Sequence, residues 1–294
     1  MTPLLIPMAG DPALARTIAD RLGADFGRIE IRRFPDGETY LRHDSAVSGR
    51  PVLLFGSLDR PDDKFLPFAF AAAAARDLGA ASVGLICPYL AYLRQDRRFA
   101  PGEAITSAYF AKLLSSQVDW LVTVDPHLHR YAALGEIYSI PTRVIHAAPL
   151  IADWICREVD RPLLIGPDEE SAQWVAAVAA NAGVPHIVLR KIRSGDRDVE
   201  VSAPEVERWR DRTPVLLDDI ASTGRTLLAT ITHLRKKEMR PPVCMVVHGV
   251  FAGTAFQELL AAGARVVTCN TVPHETNRID TAAPLAEAVK DMIR

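Results

Sequence analysis

VLLDDIASTGRTL, residues 215–227, runs from three apolar residues into two adjacent aspartates, then through a small hydroxyl-rich turn into another apolar helical pattern. If 215–217 belongs to a strand of an open parallel sheet, Asp218 and Asp219 fall at its carboxyl end, where such sheets bind ligands. The turn from Ala221 to Thr226 places short hydroxyls and Gly224 just ahead of a helix. Free backbone N–H groups and the helix dipole are then available to a phosphate. Carboxylates repel phosphate, but they accept hydrogen bonds from vicinal hydroxyls and hold cations. A sugar phosphate presents both kinds of group. The residues alone leave a second reading open, with Asp219 capping the following helix and Asp218 a solvated strand end.

Outward from this stretch, short apolar runs alternate with helical patterns, as strands buried on both faces of a parallel sheet do. Asp11-Pro12 starts a helix with Leu14, Ile18 and Leu22 on one face, and Gly23 stops it. PVLLF (51–55), an alanine-rich helix to Gly79, SVGLIC (82–87), a helix near 104–116 and WLVTVD (120–125) follow. The rhythm returns with PLLIG (162–166), a helix from about Ser171 to Ala182, HIVL (186–189), VLLDD and a helix to about Lys237. VCMVVHGVF (243–251), a further helix and RVVTCN (265–270) complete it. The pattern predicts an α/β chain of two tandem doubly wound domains with parallel central sheets. Pro141 and Pro149 interrupt the periodicity between them, so the expected domains are 1–145 and 146–294.

The 294 residues, 49% of them hydrophobic, suffice for two ordinary cores. Lys plus Arg (34) nearly cancels Asp plus Glu (36), so no global field draws in nucleic acid or an anionic membrane surface, and an anion site has to be local. Cys87, Cys156, Cys244 and Cys269 are scattered without a CxxC pair, which speaks against a zinc cluster or disulfide framework and for a reducing cytoplasm. MTPLLIPMAG lacks the basic region of a secretory leader, and the apolar stretch around Phe65 to Ala75 contains Pro67 and is too short to span a bilayer. A soluble protein is expected.

Several further segments carry chemistry. Arg94-Gln95-Asp96-Arg97-Arg98 offers three guanidiniums with bidentate donors for polyphosphate and an aspartate able to orient one of them; by itself it reads first as a salt-bridged surface turn. Phe34-Pro35-Asp36-Gly37-Glu38 reads as a type I or II turn. His127 and His129 flank Leu128 after the WLVTVD strand, a spacing that suits a metal or a purely structural pair. Asp168 follows PLLIGP and suits either a metal or a helix cap. Lys191 and Arg193 stand in RKIRSGDRDVEV, a polar segment read as a mobile loop.

Taken together, RRFPDGETYLR (Arg32 to Arg42), PYLAYLRQDRR (Pro88 to Arg98), VDPHLHR (Val124 to Arg130), GPDEES (Gly166 to Ser171) and TVPHETNRID (Thr271 to Asp280) resemble the ribose-phosphate pyrophosphokinase, or PRPP synthase, family. The resemblance covers almost the whole chain and is nearest the shorter, archaeal-type branch and its bacterial relatives. Residues 215–227 resemble the PRPP loop that this family shares with type I phosphoribosyltransferases, which implies that fold for both domains.

The activity implied is transfer of the pyrophosphoryl group of ATP to the 1-hydroxyl of ribose 5-phosphate, with Mg²⁺, in nucleotide biosynthesis. Phe34, Asp36, Glu38, Arg94, Gln95, Asp96, Arg97 and His127 are then expected to bind ATP, the 34–38 turn doing so for a neighbouring subunit of a homo-oligomer. Asp218, Asp219, Ser222, Thr223, Gly224 and Thr226 are expected to bind ribose 5-phosphate. His127 and Asp168 are expected at the metal, and Lys191 and Arg193 on a catalytic loop over the triphosphate. Arg225 stands where many relatives have a second glycine, and Glu169, Glu170 and Pro126 also depart from the family pattern. Two alternatives are a non-catalytic relative that modulates an active synthase and a transferase acting on another pentose phosphate.

Overall fold

The computed structural model describes residues 1–168, 171–193, 199–202 and 206–293, with 190–193 and 199–202 described by their backbone. The first half runs β1 (Leu4–Pro7), α1 (Pro12–Leu22), β2 (Asp25–Phe26), β3 (Ile29–Arg33), β4 (Thr39–His43), β5 (Pro51–Phe55), α2 (Pro61–Asp77), β6 (Ser82–Cys87), α3 (Thr106–Ser115), β7 (Trp120–Val124) and β8 (Thr142–Ile145). The second runs α4 (Ala148–Glu158), β9 (Pro162–Gly166), α5 (Ala172–Ala182), β10 (His186–Val188), β11 (Arg190–Arg193), β12 (Val199–Ser202), β13 (Thr213–Ala221), α6 (Arg225–Lys236), β14 (Val243–Gly249), α7 (Ala255–Ala261), β15 (Arg265–Cys269), β16 (Asn277–Ile279) and α8 (Ala282–Met292).

The expected architecture is present twice. One parallel sheet has the order β2-β1-β5-β6-β7-β8 and the other β10-β9-β13-β14-β15-β16, so each strand number recurs eight later in the same place. In both sheets the strand order reverses beside the strand that comes first in sequence, between β1 and β5 and between β9 and β13, and the crevice at such a reversal is where doubly wound folds hold ligands. Each half adds a two-stranded antiparallel hairpin, β3-β4 or β11-β12. Strands β7, β9 and β14 are buried along their whole length, which is why their sequences read as unbroken apolar runs. Leu54, Leu85 and Leu121 anchor one core; Ile165, Leu216 and Val246 anchor the other.

Helix α1 forms as its sequence dictates: the Ala13 N–H donates to the Asp11 carboxylate, Pro12 sits at the first position, and Gly23 closes the helix in the left-handed region. Three elements depart from expectation. The polar stretch read as a mobile loop contains the β11-β12 hairpin, with Lys191 opposite Val201 and Arg193 opposite Val199. The proline-punctuated stretch near 145 contains β8 and the start of α4. The chain divides into Met1–Ile145 plus the segment from Thr281 onward, and His146–Asp280, so the expected second domain, 146–294, gives its last helix to the first.

That helix, α8, packs on α1, β7 and β8, and Arg143 pairs with Asp291 at 3.6 Å. Correspondingly α4, which follows β8 in the chain, packs on α5 and β16. Each sheet's last strand is therefore followed by a helix that belongs to the other unit. Leu285 of α8 is fully buried. Leu285→Ala should cost about 2 to 5 kcal/mol, the usual range for a core leucine truncation, and lower amide protection in α1, β7 and β8. Protection lost in β9 and β13 instead would show that α8 supports the other unit.

Candidate functional site

In the second unit, strand β13 sets the site. It pairs with β9 as far as Leu216 opposite Ile165, and with β14 as far as Ala221 opposite Gly249. Asp218 and Asp219 therefore lie within the strand, later than the 215–217 segment expected, where β13 has a ladder on one side only. Asp168 follows the end of the neighbouring strand β9. All three carboxylates are partly buried. Burial first, then the negative charges of Asp219 and Asp168, hold the Asp218 carboxyl well above the ordinary aspartate range. The Asp219 N–H donates to Asp218 Oδ1 at 3.0 Å.

After Ala221 the chain turns through Ser222 and Thr223 to Gly224, whose φ of 67° is the left-handed conformation that glycine adopts without steric cost. Arg225 then begins α6, and no side chain caps that helix. The turn is held from behind, because the N–H groups of Val250 and Phe251 donate to Ala221 O and that of Ala252 to Ser222 O. Helix-start N–H groups have no intrahelical acceptor, so the turn offers an anion-binding end a short distance along the chain from two hydroxyl-accepting carboxylates. The capping alternative for Asp219 is not what the structure shows, since the uncapped helix begins at Arg225.

Asp168 does serve locally, accepting the Ser171 N–H at Oδ1 (3.3 Å) while Ser171 Oγ donates to its carbonyl (2.6 Å). Glu169 and Glu170 lie outside the described residues. Among the described residues no three His, Cys, Asp or Glu side chains converge into a complete metal centre. The crowded carboxylates nonetheless suit Mg²⁺, which commonly takes one or two protein carboxylates and completes its shell with water and ligand phosphates. The thiol of Cys244 is pushed up to about 12 by burial and by the charge of Asp218, which leaves no thiolate beside the carboxylates at neutral pH.

In the first unit, two segments with left-handed non-glycine residues stand at the carboxyl end of the sheet. Tyr92 (φ 59°) leads into the arginine segment, and Asp125 (φ 29°) leads into the histidine segment. Arg94, Arg97 and Arg98 are exposed and Gln95 is partly buried. Arg97 lies over the Phe99 ring at 4.8 Å, and Arg98 Nε donates to Glu103 O at 3.0 Å. Asp96 is buried and pairs with Arg130 (3.4 Å), beyond the five-residue motif, where sequence offered only its own arginine neighbours as partners. His127 meets His129 edge-on, with ring centroids 3.9 Å apart.

The 34–38 segment is the tip of the exposed β3-β4 hairpin. The Gly37 N–H donates to Phe34 O and the Phe34 N–H to Glu38 O. Gly37 has a φ of 93° while Asp36 is not among the positive-φ residues, so of the two turn types expected this is type I followed by a glycine bulge. Asp36 Oδ1 accepts the Glu38 N–H, and Arg32 lies over the rings of Phe34 and Tyr40. The side chains of Lys191 and Arg193 lie outside the described structure; their backbone is in β11. The partnership of Arg130 with Asp96 was not legible in the sequence, because no periodicity links residues so far apart.

The raised Asp218 carboxyl has a stability consequence. The folded state holds that proton to higher pH than the unfolded chain, so Asp218 costs stability progressively as pH rises from the ordinary 3.8 toward its folded value. Asp218→Asn should melt at a higher temperature than the native chain at pH 7, with the gap closing below pH 3.8. A gap that is absent or reversed at pH 7 would show that Asp218 is not strained by its neighbours.

Residues 4–117 match the N-terminal domain of ribose phosphate pyrophosphokinase, and residues 133–282 match the phosphoribosyl transferase domain. The chain is 32% identical to the ribose-phosphate pyrophosphokinase of Methanopyrus kandleri, over 95% of this chain and 96% of that one. It is 31% identical to that of Thermoplasma acidophilum, over 91% and 92%. The phosphoribosylpyrophosphate synthetase of Mycobacterium smegmatis superposes over 100% of this chain and 99% of that one, with a TM-score of 0.86 at 24% identity, and so shares the fold. With both domains matched in order and relatives similar from end to end, the chain belongs to the ribose-phosphate pyrophosphokinase family.

Proposed function

We propose that the protein is a ribose-phosphate diphosphokinase, transferring the pyrophosphoryl group of ATP to the 1-hydroxyl of ribose 5-phosphate to give PRPP and AMP. The observation that carries this reading is the combination on one strand-turn-helix of Asp218 and Asp219 with an uncapped α6 behind a left-handed Gly224. The carboxylates accept hydrogen bonds from the 2- and 3-hydroxyls of the pentose, and Ser222, Thr223, Gly224 and Thr226 take its 5-phosphate. The acceptor oxygen forms a bond to the β-phosphorus as the bond from that phosphorus to the α,β-bridging oxygen breaks. The 1-hydroxyl gives up its proton to water, and AMP departs with the bridging oxygen.

The first unit supplies the nucleotide contacts through Arg94, Gln95, Arg97 and His127, with Asp96 as the buried support of that segment. His127 in the first unit and Asp168 in the second are the residues that the family pattern assigns to Mg²⁺, which would neutralise polyphosphate charge. Lys191 and Arg193 stabilise the negative charge that develops in transfer, a role that rests on the family pattern and on their place in β11. The hairpin tip with Phe34, Asp36 and Glu38 serves the adenine of a second copy of the chain, so the active species is at least a dimer. Mass photometry should find it; fully active monomers would remove that role from the hairpin.

Purified protein given ATP, Mg²⁺ and ribose 5-phosphate should release AMP, with other pentose phosphates as weaker acceptors. ADP as the only nucleotide product, or no turnover, would overturn the assignment. In the same assay Lys191→Ala and Arg193→Ala should each lower kcat by about 10² to 10³, the loss expected for one transition-state donor. Normal turnover in either variant would remove that residue from catalysis.

A further inference from the structure

Arg130 ends the VDPHLHR segment, and its pairing with Asp96 is asymmetric. The Asp96 side chain is 4% exposed and that of Arg130 is 46% exposed. The contact runs from Arg130 Nε to Asp96 Oδ1 at 3.4 Å, while Oδ2 is buried with no hydrogen-bond partner among the described residues. Removing a carboxylate from water is costly unless charge pairing and hydrogen bonds compensate it, and one contact of this length with an orphaned second oxygen compensates poorly. Stability therefore does not account for an aspartate here. Orientation does, because Nε is the inner nitrogen of the guanidinium. The ion pair engages Nε and leaves Nη1 and Nη2 for a second anion.

A second tie fixes the same two segments together. The hydroxyl of Tyr131, the next residue, donates to the Asp96 carbonyl at 3.3 Å and lies 3.3 Å from Ser107 Oγ. The Ser107 N–H in turn donates to Gln95 O at 3.3 Å. Residues 95–96, the start of α3 and residues 130–131 are thus bonded into one local frame. Arg94 and Arg97 flank residues 95–96 in one bonded segment, and His127 precedes residues 130–131 in the other.

We propose that Arg130 is a further phosphate-binding residue of the nucleotide site, its guanidinium fork aimed at the polyphosphate by the buried carboxylate of Asp96. The inference rests on the reading of 94–98 as the nucleotide segment. Arg130 is the ligand-contacting group and Asp96 its positioning residue.

The test is steady-state AMP release by the full chain, with calorimetric binding of a non-hydrolysable ATP analogue alongside. Arg130→Ala should raise the KM for ATP and weaken analogue binding by about ten-fold, one charge-assisted hydrogen bond's worth. Its KM for ribose 5-phosphate should be unchanged. Arg130→Lys, which keeps the charge but not the fork, should not restore affinity. Asp96→Asn should weaken nucleotide binding in the native background and add nothing in Arg130→Ala.

Unchanged ATP affinity in Arg130→Ala would overturn the proposal. So would equal changes in both KM values, or independent, additive effects of the two substitutions on nucleotide binding, which mark a purely structural ion pair. The native chain separates this from failure of the proposed activity: analogue binding without AMP release would sink the activity and leave Arg130 testable by calorimetry. Absence of nucleotide binding by the native chain would sink both.

Discussion

The constraint on which the second unit's site depends is the repulsion among carboxylates gathered at a sheet reversal. Beyond Leu216, strand β13 has a ladder partner only in β14, and Asp218 and Asp219 occupy the segment thereby opened beside the end of β9, from which Asp168 follows. Nothing in packing requires acids there; the burial and the neighbouring charges that raise the Asp218 carboxyl are a local cost. Such a cost persists where a ligand relieves it, and hydroxyl donors and a divalent cation relieve it in complementary ways. The uncapped start of α6 imposes the opposite requirement, for an anion, just past the acids. A ligand with hydroxyls at one end and a phosphate at the other meets both, whereas either feature alone would suit many molecules.

The duplication explains why only one unit carries this arrangement. The two sheets share one strand order, so each provides a reversal of the same kind. Along β1 and β5 of the first unit, however, the strand ends carry no adjacent pair of acids: β5 ends in Phe55 followed by Gly56 and Ser57. Its polar groups are concentrated instead after β6 and β7, in the arginine and histidine segments. Equivalent backbones thus hold different chemistry, a general property of folds whose function is set by side chains on the loops. The placement of α8 makes the first unit's packing depend on a helix from the other half of the sequence. Cutting the chain near residue 145 would therefore not release two self-sufficient halves.

Much of this was legible in the sequence, for identifiable reasons. PVLLF, SVGLIC and PLLIG read as strands because central parallel strands are buried on both faces, and their observed limits coincide with those runs. The Pro-Asp-Gly chemistry of 35–37 announced a turn, and the structure selects type I. The β11-β12 hairpin was not legible, because short strands rich in charged residues look like a loop. Strand β8 was hidden because four residues between prolines carry too little pattern. The return of α8 to the first unit had no local signal, since a helix's amphipathic face records that it packs and not on what.

The same distinction governs the site residues. Asp218, Asp219 and Gly224 were identifiable because a strand, a turn and a helix start in sequence fix their relation through local geometry. Asp96 was identifiable only as an acid among arginines, and proximity in sequence pointed to the wrong partner. Its observed partner, Arg130, arrives on the adjacent strand's loop, brought there by β6 and β7 pairing in parallel, which places the segments after both strands at the same end of the sheet. Residues at the ends of neighbouring parallel strands are always distant in the chain, so contacts between their loops leave no spacing rule to read. In a doubly wound fold the site is built from such loops. Sequence can therefore name the groups on each loop while the pairings between loops, which decide how a guanidinium or carboxylate is aimed, emerge only once strand order is known.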